Sequence, residues 1–191
     1  PARGRGGGGA APAYEEGHAH RAGARRGGES PRKEGGRGRR AHDPDPTEAG
    51  PAMSNEDLLA LARRIFAAQP FSTYLGAELL AAGAGSAEIA LPLRPELTQQ
   101  HGFAHGGVVS YLADNALTFA GGLALGGDAL TSEYKLNYLR PAQGASLLAR
   151  AEALSVGKRQ AVCRCVVLAR DDRGVETLCA AAQGTVIRTA P

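Results

Sequence analysis

Residues 106–121 read GGVVSYLADNALTFAG, and the fold turns on this stretch. Val108, Val109, Leu112, Ala116, Leu117, Phe119 and Ala120 cover most of the circumference of a helix with 3.6 residues per turn, which predicts a largely buried helix. Although about 106–125 is the most apolar part of the chain, Ser110, Asp114, Asn115 and Thr118 punctuate it and argue against a membrane span. Ser110, Asp114 and Thr118 recur every fourth residue and so form a polar stripe one residue wide. A carboxylate at the edge of a core needs a partner, a water or a chemical task. Asn115 points elsewhere and reads as a structural hydrogen bonder.

Downstream, Gly126-Gly127-Asp128 breaks the helix, and four strand-like runs follow at about 130–139, 146–156, 159–170 and 176–188, expected to be antiparallel. Upstream, 78–82 and 87–93 flank Gly83-Ala84-Gly85-Ser86 and read as a hairpin, followed by a loop through His105. Ser54 and Asp57 have capping-box spacing, and Leu58, Leu61, Ala62 and Ile65 repeat at helical period, predicting a short amphipathic helix to about Gln69, stopped by Pro70. Small residues line one face of two strands: Ala149, Ala151 and Ala153 in one, Ala161, Cys163 and Cys165 in the other. They leave room for a helix to approach. The expected architecture is α+β, an antiparallel sheet wrapped around one long central helix, with a short N-terminal helix.

Composition separates this domain, residues 53–191, from what precedes it. Residues 1–52 contain no Val, Ile, Leu, Phe or Met, while 13 Gly and 6 Pro make up over a third of them. Such a segment buries too little apolar surface to offset its ordering entropy and is expected to be disordered. It holds ten Lys/Arg against seven Asp/Glu, leaving twelve of each in 53–191, so the basic balance of the whole chain belongs to the tail. Its Gly-Arg runs resemble nucleic-acid-binding segments whose cations attract phosphate without a fold. The plainer reading is upstream sequence, with native initiation at Met53, and nucleic acid is not an expected partner. The three cysteines, Cys163, Cys165 and Cys179, are too few and odd in number for a disulfide framework. They fit a reducing, cytoplasmic setting, and metal ligation would need further Cys or His nearby.

The chemistry concentrates at the start of the central helix. His105-Gly106-Gly107 opens it, where backbone N–H groups without intrahelical partners and the positive dipole end can polarise a carbonyl. The same glycines also suit a plain tight turn into a helix. Gly106 and Asp114 are eight residues apart on one helix, about 12 Å at ~1.5 Å per residue. One chain therefore cannot place both at a single reacting carbonyl, and an isologous dimer can.

The stretch from Gln99 to Ala116, QQHGFAHGGVVSYLADNA, resembles the signature of the phenylacetate-pathway (PaaI-like) hotdog thioesterases, and 131–142, TSEYKLNYLRPA, is similar to that family's next strand. With the order of elements, the resemblance spans about 57–188. It implies a hotdog fold, acyl-CoA thioester hydrolysis and an active site at the interface of a homodimer or a dimer of dimers. By position, Asp114 matches the carboxylate that acts as nucleophile or general base, and Gly106 the residue whose N–H polarises the thioester carbonyl. Gln99 stands where many members carry Asn, and a related subgroup Gln, to orient water or substrate. Thr131 matches a strand hydroxyl that positions the water, and Thr118 a helix threonine used in the related subgroup. His105 falls to shaping the loop. Arg140, Lys158 and Arg159, at strand ends or turns, are candidate partners for the phosphates of coenzyme A. No metal or redox cofactor and no membrane partner is implied. The alternative readings are a hotdog protein that binds acyl-CoA without hydrolysing it, and an RNA-associated protein acting through its Arg-Gly tail.

Overall fold

A computed structural model describes residues 53–189. The expectations of disorder and of nucleic-acid affinity for 1–52 fall outside the described residues. The chain opens with α1 (Asn55–Ala67), whose Ser54 cap exchanges hydrogen bonds with Asp57 in a full capping box. Pro70 ends the expected helix but does not end helical structure. It occupies the first turn of a second short helix, α2 (Pro70–Leu75), where its missing N–H costs nothing. The sequence reading had no place for that element, because a proline after a helix is more readily read as a stop.

Strands β1 (Glu78–Gly83) and β2 (Ser86–Pro92) form the expected hairpin. A single 3-10 turn at Pro95–Leu97 and a bridge between Thr98 and Ala104 order the loop that follows. The central helix α3 (Gly106–Leu125) continues past the expected end near Gly121. Gly121 is a contact point rather than a break: a Cβ there would lie 2.6 Å from the Val186 Cβ, so only glycine lets the helix press so closely on the sheet. Gly126, at φ +66°, makes the left-handed cap that does end it.

The remaining strands are β3 (Ala129–Tyr138), β4 (Ser146–Val156), β5 (Gln160–Arg170) and β6 (Glu176–Arg188). All pairings are antiparallel, in the order β1-β2-β4-β5-β6-β3, so β3 crosses over to pair with β6 and forms an edge of the sheet. The sheet curls around α3 in the hotdog arrangement. Ala149, Ala151, Ala161, Cys163, Cys165 and Val167 lie buried beneath the helix, with Ala153 packed at the margin. Α3 is long and apolar enough to cross a bilayer, yet half of that apolar stretch, including Val108, Leu112, Leu117 and Leu125, is buried within the fold. Phe66 of α1 packs on Phe119 of α3 with ring centroids 5.6 Å apart.

A partly buried polar knot centred on Ser72 joins α2 to α3. Asn115 Nδ2 donates to Gln69 Oε1 at 3.0 Å, and the Tyr111 hydroxyl donates to Ser72 Oγ at 2.6 Å. Asn115 is thus the structural hydrogen bonder expected of it.

Candidate active site

The loop from Leu97 to His105 delivers two candidate groups to the start of α3. His105 N–H donates to the Leu97 carbonyl at 2.8 Å, and the His105 side chain caps the helix by accepting from Gly107 N–H through Nδ1 at 3.0 Å. That ring nitrogen is spent on the cap, which suits the loop-shaping role assigned to His105. The cap also separates the two glycines. Gly107 N–H is used, whereas Gly106 N–H has no acceptor among the described residues and stands free at the positive end of the helix.

Tyr138, at the end of β3, donates its hydroxyl to the Gly106 carbonyl at 2.9 Å, and a Cβ on Gly106 would meet that hydroxyl at 3.3 Å. Tyr138 therefore fixes the peptide plane and covers the glycine. Sequence reasoning missed it, since nothing in a strand-end tyrosine 32 residues away signals a bond to this carbonyl.

Gln99 is held by its backbone, donating to Phe103 O at 2.8 Å and accepting from Gly102 N at 2.9 Å. Its side-chain Oε1 accepts from His101 N–H at 2.5 Å, which turns its amide NH2 group outward with no acceptor among the described residues. Gln99 and Gly106 line one cavity of ≈ 370 Å³ together with Phe103, Tyr138 and Arg140.

Asp114 lies two turns further along α3 and lines no part of that cavity. Its polar stripe faces β3: Ser110 Oγ is 2.5 Å from the Tyr134 hydroxyl, and Thr118 Oγ1 is 2.5 Å from Thr131 Oγ1. Asp114 itself is half-buried, and its Oδ1 is fully buried with no hydrogen-bond partner. A buried carboxylate oxygen without a donor costs several kcal/mol at most sites and is retained where it has a task. One chain thus gathers Gln99, His105, Gly106 and Arg140 at one place and Asp114, Thr118 and Thr131 at another.

The other two candidate cations are elsewhere. Lys158 and Arg159 occupy the exposed β4–β5 turn, and the Arg159 carbonyl accepts from the N–H of Arg188, the residue paired with Ala129. That is the end of β3 near the C-terminus of α3, opposite Arg140. The pronounced pKa shifts fall outside both clusters. Burial pushes the Cys165 thiol up to about 12 and raises Cys163 as well. A bidentate hydrogen bond from Arg150 holds Glu176 below the usual carboxylate range. All three cysteines are buried free thiols.

A curled antiparallel sheet around one helix, with a free N–H at the helix start and an unpartnered carboxylate along it, defines the class as hotdog-fold thioesterases. Comparison bears this out. The family model of the thioesterase superfamily matches residues 101–176. A thioesterase family protein from Silicibacter pomeroyi is similar at 34% identity and TM-score 0.64, covering 68% of this chain and 96% of its own. A single-residue variant of the phenylacetic acid degradation protein PaaI from Thermus thermophilus is 31% identical with TM-score 0.56, covering 63% of this chain and all of its own. PaaI of E. coli shares the fold, with TM-score 0.64 at 21% identity over 71% of this chain and 96% of its own. No curated protein matches the chain. The chain belongs to the thioesterase superfamily, within its PaaI-like hotdog group.

Proposed function

We propose that the protein hydrolyses acyl-CoA thioesters to the free acid and coenzyme A, with each active site shared between two copies of the chain. The observation that carries this reading is the buried Asp114 Oδ1 with no partner, on a helix whose first N–H is also free. Gly106 N–H of one chain receives the thioester oxygen and stabilises it as negative charge develops. Asp114 of the other takes a proton from water, the water oxygen bonds to the carbonyl carbon, the C–S bond breaks, and the proton passes to the departing sulfur.

The threonines fit the water. Thr118 spends its only hydroxyl proton on the Asp114 carbonyl at 2.8 Å, so in the Thr118–Thr131 pair Thr131 is the donor. Thr131 then has lone pairs, and no proton, to offer a water, which turns the water's own oxygen toward the substrate. Gln99 presents amide protons to the thioester from the Gly106 side.

Two further features support a shared site. Β3 is an edge strand, with β6 on one side only, so its outer row of backbone groups can pair with a second copy. Antiparallel pairing of β3 with its copy sets Ala129 of one chain toward Tyr138 of the other. This carries the partner's Lys158 and Arg159 toward the Arg140 end, where three cations can meet the phosphates. The deciding experiment measures coenzyme A thiol release from acetyl-, butyryl-, octanoyl-, decanoyl- and phenylacetyl-CoA. Turnover of at least one, abolished by Asp114→Asn, is expected; binding without turnover across the series would leave an acyl-CoA-binding protein instead.

A further inference from the structure

The carboxylate of Asp114 has a hydroxyl one helical turn to either side, Ser110 before it and Thr118 after, yet its Oδ1 is buried with no donor. Ser110 is the better placed of the two to supply one. A helical side chain leans toward the N-terminus, so the Asp114 carboxylate extends over the turn that carries Ser110.

Two tyrosines of β3 account for the missing bond. A hydroxyl inside a helix ordinarily donates to the carbonyl four residues back, as Thr118 does to Asp114 O at 2.8 Å. For Ser110 that carbonyl is Gly106 O, and it is already filled: Tyr138 donates to it at 2.9 Å, beside the bond that the helix itself makes there. Ser110 Oγ instead lies 2.5 Å from the Tyr134 hydroxyl and has no other partner among the described residues.

The strand is shaped to bring Tyr134 to that position. Thr131 and Tyr134 are three residues apart, and in a regular strand they would point to opposite faces of the sheet. The register of β3 against β6 slips between Thr131 and Glu133, and the bulge at Ser132 lets both side chains reach α3. Gly184 of β6 makes room for it, since a Cβ there would lie 2.5 Å from both the Glu133 carbonyl and the Tyr134 Cβ.

We infer that Tyr134 is a positioning residue: it holds the Ser110 hydroxyl toward β3 and so leaves the Asp114 carboxylate free to take its proton from water. The inference rests on the reading of Asp114 as the base. A carboxylate that accepts a hydrogen bond from a neighbouring serine is a weaker base, because the bond favours its charged form. With Gly106 O filled, Asp114 is the acceptor left to Ser110 once the Tyr134 oxygen is removed.

The test compares the wild type, Tyr134→Phe, and Tyr134→Phe combined with Ser110→Ala, on the acyl-CoA that the wild type turns over fastest. Phenylalanine keeps the ring that packs on the core, and Tyr134→Leu, which also lacks the hydroxyl, takes its place if that variant does not fold. Tyr134→Phe should lower kcat by about tenfold and leave KM within about twofold. Adding Ser110→Ala should recover most of the loss, because the serine that quenches the carboxylate is then gone. A Tyr134 that serves packing alone predicts no recovery from removing a second polar group. That result, or an unchanged kcat in Tyr134→Phe, overturns the inference. Crystal structures of the wild type and Tyr134→Phe separate it from the function proposed above: in the variant, Ser110 Oγ should move to within ~3.2 Å of an Asp114 carboxylate oxygen. If no acyl-CoA is hydrolysed, the proposed function fails; the movement of Ser110 then still supports the role of Tyr134, and a serine that stays on the β3 side rejects it.

Discussion

Thr118 of α3 and Thr131 of β3 place their hydroxyl oxygens 2.5 Å apart, and because the Thr118 proton is committed to the Asp114 carbonyl, the proton between them comes from Thr131. The backbone carbonyl of Asp114 and the edge strand are thus joined by a chain of hydrogen bonds. The two hydroxyls are linked in one chain, whereas position in the sequence alone did not choose between them.

That coupling is measurable. Thr118→Val and Thr131→Val should each lower kcat by about tenfold, a loss of ~1.4 kcal/mol of transition-state stabilisation. The double variant should be little worse than either single one, since removing one hydroxyl already breaks the chain. Steady-state kinetics on the four proteins checks it, and additive losses would show that the two hydroxyls act independently.

Asp114→Asn should fold normally and bind acyl-CoA while kcat falls by on the order of 10²–10⁴, the usual worth of a general base. A single turnover of the wild type in heavy-oxygen water should put the label in the product acid. Label found in Asp114 instead would mean that the carboxylate attacks the carbonyl itself.

Mixing defective chains tests the shared site. Asp114→Asn and Gln99→Ala, each inactive alone, are unfolded together and refolded. About half the dimers should be mixed, each with one intact site and one doubly defective site, so roughly a quarter of wild-type activity should return. Chains that exchange without any return of activity would place Gln99 and Asp114 in the same site of one chain.

Gly121→Ala should destabilise the protein by about 1–3 kcal/mol, the usual cost of overpacking a core, because the new Cβ would fall 2.6 Å from the Val186 Cβ. Chemical denaturation measures it. Gly121→Ala combined with Val186→Ala should recover part of the loss, whereas no change in midpoint for the single variant would show that helix and sheet can separate there at no cost.

The thiols should be silent in the folded protein. Cys165, pushed up to about 12 by burial, and Cys163, raised by the same cause, remain protonated at pH 8, and Cys179 is equally inaccessible. A thiol reagent at pH 8 should find no reactive group before denaturation and three after it. Fast reaction in the native state would show that the sheet opens around β5.

The period of Val108, Leu112, Ala116 and Phe119 determined the buried helix, and the alternation within 146–156 and 176–188 located β4 and β6 at their observed bounds. Local patterns carry such elements because burial of one face repeats along the chain with the geometry of the backbone. The narrow stripe of Ser110, Asp114 and Thr118 was legible for the same reason. What local patterns cannot carry is contact between distant segments. The sequence pattern says that about 130–139 is a strand but not that it leaves its neighbour β4 to pair with β6, a choice made only when the sheet assembles around α3. Pro70 as a helix start, Gly121 pressed on Val186, and Tyr138 over Gly106 are likewise decided only when separate elements meet. The chemical groups were written in the sequence; which of them face each other, and which remain unpartnered, was settled by the packing of the sheet around the helix.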